Sequence, residues 1–243
     1  MSLKSPEKQA VLAIPDRPRA ELTLLAGRLF DLETVSVEVG VDVVPLRIDF
    51  TRVRDPDQVL DQACARETTG EASQRVPYWA AVWESAQGVV GHLLGSGLLR
   101  PGLKVLDLGC GMGLAGTLLA KAGCDVTMVD YEEESLMVAR INAASAGVPV
   151  RVGLCDWRTD SLGERFELIV GSDVLYETEQ WPFLESFWKV QLESGGRVVL
   201  GEPCRPKADD FADWVTLRGW QVRLIEHQTV EAKRIRVFTL GLK

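Results

Sequence analysis

The sequence predicts an α/β fold: a mostly parallel sheet of seven strands with helices on both faces, an antiparallel C-terminal hairpin, and a small α+β extension at the N-terminus. Three observations carry this. Strand and helix patterns alternate regularly from about residue 85 to about residue 217, the mark of a parallel sheet wrapped by crossover helices. The last two strand patterns are joined by too short a turn for a crossover helix, so they pair antiparallel. Before residue 76 the alternation is absent, which sets 1–75 apart as an accessory extension and 76–243 as the main domain.

Taken in order, Met1 to Pro18 is polar, with Pro6, Pro15 and Pro18, and reads as a loosely ordered lead-in. Leu22, Leu24, Leu25 and Leu29 suit a short amphipathic helix over Arg19 to Phe30. Thr34 to Phe50 alternates β-branched and polar residues around Gly40 and Pro45, as a hairpin does. A second helix runs from Asp55 to Ala65, with Asp55 as cap and Pro56 in its first position, and Arg66 to Arg75 follows as an exposed loop. The main domain opens with a helix at Ser85 to Leu94. Its parallel strands are Lys104 to Leu108, Asp125 to Asp130, Val148 to Leu154, Phe166 to Gly171 and Gly196 to Gly201. Helices fit at Leu114 to Ala122, Glu132 to Ala146, Glu179 to Leu192 and Ala208 to Leu217. Gln221 to Thr229 and Arg234 to Leu240 form the closing pair.

With 243 residues, 46% hydrophobic and 26% charged, the chain has enough apolar material for a packed core, and wholesale disorder is excluded. A net charge of −8 disfavours nucleic acid as a partner, because phosphate binding draws on clustered Lys and Arg. The five cysteines, Cys64, Cys110, Cys124, Cys155 and Cys204, form no C-x-x-C pair and read as reduced thiols. His92 and His227 are the only histidines, too few for a multi-histidine metal site, and no metal is assigned. No apolar run approaches the ~18 residues of a membrane span and no secretory pattern opens the chain, so the expected location is the cytoplasm, away from the membrane.

The densest chemical signal is Val105-Leu106-Asp107-Leu108-Gly109-Cys110-Gly111-Met112-Gly113-Leu114-Ala115-Gly116, a strand that runs through glycines into a helix. Such a turn lets bare backbone approach a nucleotide-type ligand at the strand's carboxyl end. Gly111, Gly113 and Gly116 also satisfy the dinucleotide pattern G-x-G-x-x-G, and Asp130 stands where a ribose-binding carboxylate belongs in either case. Asp107 tilts the choice. A carboxylate ahead of the glycines suits a ligand with a cationic amino group and repels a pyrophosphate, which favours S-adenosylmethionine over a nicotinamide cofactor. Asp156 offers an acceptor for an adenine amine and Trp157 an apolar neighbour for the ring. Tyr131, beside Asp130, and Ser172, at the end of the fourth strand, are assigned to the same cofactor site.

With these residues the sequence resembles the class I, seven-strand S-adenosylmethionine-dependent methyltransferases, through the D-x-G-x-G-x-G run of Asp107, Gly109, Gly111 and Gly113 together with Asp130. The resemblance covers about Pro77 to Lys243 and implies a Rossmann-like sheet ordered 3-2-1-4-5-7-6 with strand seven antiparallel. Asp173-Val174-Leu175-Tyr176 is similar to the D-x-x-Y motif of the family 16 branch, which methylates protein lysines. Pro77-Tyr78-Trp79-Ala80-Ala81-Val82-Trp83-Glu84-Ser85 and Gly201-Glu202-Pro203-Cys204-Arg205-Pro206 resemble the same branch, the latter its enzymes acting on the electron-transfer flavoprotein β-subunit, with Glu202 where those have Asp. A further departure is Leu175, where that branch suggests Phe. The resemblance implies that Trp83 touches cofactor.

Methyl transfer from a sulfonium is an in-line displacement, so alignment and a neutral nucleophile are its main demands. A lysine amine, with an unperturbed pKa of about 10.4, needs desolvation in an aromatic channel beside a cation to lose its proton. Asp173 and Tyr176 are the candidate catalytic residues, Asp173 for orienting the amine first and accepting its proton second. Trp79 is assigned to the substrate channel and Glu202 to an acidic mouth. The acidic net charge then steers a cationic protein partner. Rival readings are a small-molecule methyltransferase of the same fold, a cofactor-binding protein without transferase activity, and a nicotinamide oxidoreductase, which Asp107 opposes. His92 reads as a packing or surface residue, Cys110 as a small residue in a tight turn, and Lys233, Arg234 and Arg236 as an exposed basic strand face. Oligomeric state has no signature in the sequence.

Overall fold

Successive side chains of a strand point to opposite faces, so the runs of adjacent apolar residues in the central strands build two hydrophobic layers. In the computed structural model, which describes residues 17–40, 44–68 (backbone only for 64–68), 77–81, 84–229 and 232–242, Val105, Met128, Leu168, Val170 and Val199 enter one layer. Leu106, Leu108, Val129, Ile169 and Leu200 enter the other. The sheet that carries them has seven strands: β3 (Lys104–Leu108), β4 (Asp125–Asp130), β5 (Arg151–Leu154), β6 (Phe166–Ser172), β7 (Leu192–Glu202), β8 (Trp220–Gln228) and β9 (Arg234–Leu242). Their order is β5-β4-β3-β6-β7-β9-β8. All neighbours pair in parallel except β7 with β9 and β8 with β9. Renumbered from β3, this is the expected 3-2-1-4-5-7-6 order.

Helices α3 (Ser85–Ser96), α4 (Leu114–Lys121) and α5 (Glu133–Ala146) cover one face, and α6 (Trp181–Gln191) and α7 (Phe211–Thr216) the other. The second layer is aromatic: Trp188 meets Trp220 and Phe211 edge-on, and Phe211 meets Phe238 in the same way. In the main domain three elements depart most from expectation. β5 starts at Arg151 rather than Val148; Pro149 has no N–H to give a ladder. β7 starts four residues early, through an irregularity between its Leu192 and Arg197 pairings. α7 is cut to six residues behind a 3-10 turn at Pro206–Ala208.

Ahead of the sheet, α1 (Arg19–Leu29) is followed by a hairpin of β1 (Leu32–Val39) and β2 (Leu46–Val53) and then by α2 (Pro56–Thr68). The Asp55 side chain accepts the Gln58 N–H at 3.2 Å, as a cap at that position does. The expected 66–75 loop begins three residues late, since 66–68 still belong to α2; its remainder, like 1–16 of the lead-in, lies outside the described residues.

The hairpin joins the α3–α5 layer: Val37, Val39, Ile48 and Phe50 are buried in it. Asn142, fully buried on α5, locks this arrangement. Its Oδ1 accepts the Thr51 N–H at 2.7 Å, and its Nδ2 donates to the carbonyls of Thr51 and Met112, each at 2.9 Å. One side chain therefore ties the hairpin to the glycine turn. Asn142→Ala strands one buried N–H and two carbonyls, so urea unfolding should show a loss of about 2–4 kcal/mol.

Candidate active site

β3 runs into a glycine turn whose conformation few other residues could adopt. Gly111 has φ +53 and Gly113 φ +79, and a Cβ on Gly113 would stand 2.8 Å from that of Ala139 on α5. The turn is pinned from β4. Asp130 Oδ2 accepts the Gly111 N–H at 2.9 Å and its Oδ1 accepts the Glu132 N–H at 3.1 Å. Burial raises the Asp130 pKa against the pull of these backbone donors.

A cavity opens here at the carboxyl ends of β3, β4 and β6. Gly109, Gly111, Asp130, Tyr131, Trp157 and Ser172, all assigned to cofactor from sequence, line it. Asp173, Tyr176 and Trp79 line it as well. Trp157 meets the Tyr131 ring edge-on at 6.4 Å, and its Nε1 donates to Gln180 Oε1 at 3.4 Å. Trp79 is 7% exposed and meets Phe30 edge-on at 5.1 Å, so it is a wall fixed by the extension. The cavity has a volume of about 90 Å³.

Several predicted residues lie elsewhere, and the reasons are physical. Asp107 does not line the cavity. It is 1% exposed and accepts the Gly116 N–H at 2.8 Å, bracing the first turn of α4. Gly113 also stays behind the lining, where its role is close packing on α5. Asp156 is held by Arg158, with Nη2 to Oδ2 at 2.7 Å and Nε to Oδ1 at 3.0 Å, outside the lining. Glu202 is no part of an acidic mouth: it is 1% exposed and paired with Arg236 Nη2 at 2.6 Å. Arg236, expected on an exposed basic face, is accordingly turned inward. Trp83 lies outside the described residues.

Asp107 makes a testable contribution to stability. Burial pushes its carboxyl up to about 7, with the Gly116 N–H opposing and the Asp130 charge assisting. The folded protein thus holds a proton that the unfolded chain gives up near pH 4. The stabilisation is complete below about pH 4 and is lost as pH rises through about 7, at most about 4 kcal/mol from this group. Asp107→Asn should flatten that part of the pH dependence in chemical denaturation.

Sequence reasoning missed three site residues. Arg205 Nη1 binds Asp173 Oδ1 at 2.7 Å. Tyr78 meets Tyr176 edge-on at 5.4 Å on the cavity wall. Both sat in stretches already singled out by resemblance. Phe50, which lines the cavity from β2, had no local signal at all.

The donors present fit a nucleoside carrying a sulfonium. Asp130 offers a fixed carboxylate to ribose hydroxyls, Tyr131 and Trp157 offer flat apolar surface to a base, and the buried Ser172 Oγ has no hydrogen-bond partner among the described residues.

Known proteins point the same way. The sequence model of the methyltransferase-domain family matches residues 99–236, more than half of the chain. The chain is 29% identical over 134 residues to phosphoethanolamine N-methyltransferase 1 of Zea mays, covering 53% of this chain and 26% of that protein. It is 25% identical over 136 residues to the electron transfer flavoprotein beta subunit lysine methyltransferase of Danio rerio, covering 55% and 53%. The chain spans from about a fifth to about half of the length of the curated relatives it matches. The crystal structure of magnesium protoporphyrin IX methyltransferase from Synechocystis with bound SAH shares the fold, with a TM-score of 0.55 at 20% identity over 77% of this chain and 97% of that one. Glycine turn, pinned Asp130, strand order and family match agree, and the chain belongs to the methyltransferase-domain family of S-adenosylmethionine-dependent enzymes.

Proposed function

We propose that this protein transfers a methyl group from S-adenosylmethionine to a nitrogen nucleophile, the ε-amine of a lysine on a protein partner. The observation that carries this reading is Asp173, on the cavity wall at the end of β6. Its Oδ1 is held by Arg205, while its Oδ2 is buried and accepts no hydrogen bond from the described residues. Ser85 Oγ is close enough to lower the Asp173 pKa but makes no hydrogen bond of normal geometry with it. A carboxylate that shares a cavity lining with Tyr78, Trp79 and Tyr176 offers an acceptor to an amine that enters there. Residues 76–243 would form the transferase domain and 1–75 its extension, acting in the cytoplasm.

S-adenosylmethionine supplies an electrophilic sulfonium methyl. Trp79, Tyr78 and Tyr176 desolvate the incoming amine and so favour its neutral form. Asp173 accepts a hydrogen bond from that amine and aims its lone pair, with proton acceptance as its second role. Tyr176 is a wall and a hydrogen-bonding group, since burial pushes its phenol up to about 12 and keeps the hydroxyl protonated. No helix among the described residues is long and apolar enough to cross a membrane.

The contact of Tyr78 with Tyr176 on the cavity wall favours a second reading, in which the acceptor is a small metabolite held against the two rings. Incubation of a lysate with labelled S-adenosylmethionine and the wild-type chain, or with Tyr176→Ala, separates the two. Methyl-lysine in a protein band, lost with the variant, supports the lead. Label confined to the small-molecule fraction supports the second reading, and an unlabelled lysate leaves a cofactor-binding protein without transferase activity.

A further inference from the structure

A second cavity, of about 720 Å³, lies between α3 and the β8–β9 edge of the sheet and shares no lining residue with the first. Strand alternation places Gln221, Arg223, Ile225 and His227 of β8 on the face that carries Thr239 and Gly241 of β9, their register partners being Gly241, Thr239, Val237 and Ile235 in turn. Arg197 joins them from β7. Its guanidinium lies against Gly241, where a Cβ would stand 3.2 Å away, and donates to the carbonyls of Gly195 and Gly196 at 2.8 and 3.0 Å. From the helix side comes His92, whose Nε2 is 3.4 Å from Thr239 Oγ1.

Two glycines of α3 shape the groove. A Cβ on Gly91 would fall 2.5 Å from His227 Nε2, so the imidazole lies directly on the helix. A Cβ on Gly95 would meet nothing within 4 Å, which leaves the groove open at that end. Both histidines of the chain and two arginines thus face one space, and among the described residues its lining contains no Asp or Glu. This is a positive groove on a protein whose net charge is −8. Burial, His227 and Arg223 together hold His92 toward its neutral form, as expected where positive groups crowd without an anion. The volume falls within the ~300–1,000 Å³ of small-molecule sites.

We propose that this groove binds a small phosphorylated molecule, its phosphate oxygens taken by the forked donors of Arg197 and Arg223 and by the imidazoles of His92 and His227. With two histidines in the chain, each imidazole gives an assignable signal. The full-length protein, labelled with nitrogen-15, is titrated with pyrophosphate against chloride at matched ionic strength. Saturable shifts of both imidazoles are expected. Arg223→Gln, a replacement of an exposed side chain, should weaken pyrophosphate binding at least about tenfold while leaving the remaining amide spectrum in place; Arg197→Gln is the second test of the same kind. Shifts that fail to saturate, or that are equal in both variants and wild type, overturn the proposal. So does binding of a single-stranded RNA that strengthens with its length, which would make the groove a nucleic-acid track.

Discussion

Arg236→Met should lower stability by about 3–5 kcal/mol, roughly 6–20 °C in melting temperature for a domain of this size. The reason lies with its partner rather than with Arg236 itself. Glu202 is 1% exposed, and its direct partner across the antiparallel β7–β9 ladder is Arg236. Arg236 also donates to the Arg205 carbonyl at 2.7 Å and to Asp209 Oδ1 at 2.6 Å. Removing the guanidinium leaves a buried carboxylate without its paired cation, although the Arg205 N–H still donates to its Oε1. A buried pair broken on one side costs far more than a pair replaced on both. Glu202→Gln combined with Arg236→Met should therefore recover most of the loss in urea unfolding. A single-variant loss below about 1 kcal/mol would mean that the pair is solvated and adds little.

That pair also marks the boundary of what sequence can tell. The β3 and β4 strands coincide with their expected spans because short, largely apolar runs and the glycines beside them are local signals. The antiparallel closure was legible from the length of one turn. Glu202 and Arg236, 34 positions apart, become partners only through the exchange of order between β8 and β9. Read locally, one looked like an acidic mouth and the other like a solvated strand face. Asp107 marks the same boundary. Its position at a strand end was legible, but its side-chain direction is set by the Gly116 N–H that α4 presents. The Asn142 tie and the Phe50 wall required the hairpin to be docked, and nothing local to the hairpin specifies the face it covers.

For the chemistry, Asp173→Asn should reduce kcat by about 10²-fold or more with cofactor binding unchanged, because the amide keeps the volume of the side chain but loses a charged acceptor. Asp173 is held at φ +60, in the left-handed region that favours glycine, which fits a side chain whose direction matters more than local comfort. The pH profile distinguishes an acceptor role from a structural one. Burial pushes the Asp173 carboxyl up to about 6, while Ser85 and Arg205 pull it down. The competent carboxylate therefore appears as pH rises through about 6, and kcat/KM should climb along an acid limb there, separate from the rise due to deprotonation of a lysine acceptor near pH 10. Arg205→Gln removes the cation that favours the ionised form. Its acid limb should move to higher pH, and Asp173→Asn should lack the limb altogether. A profile that stays fixed in both variants would assign Asp173 to shaping the turn after β6 and take it out of methyl transfer.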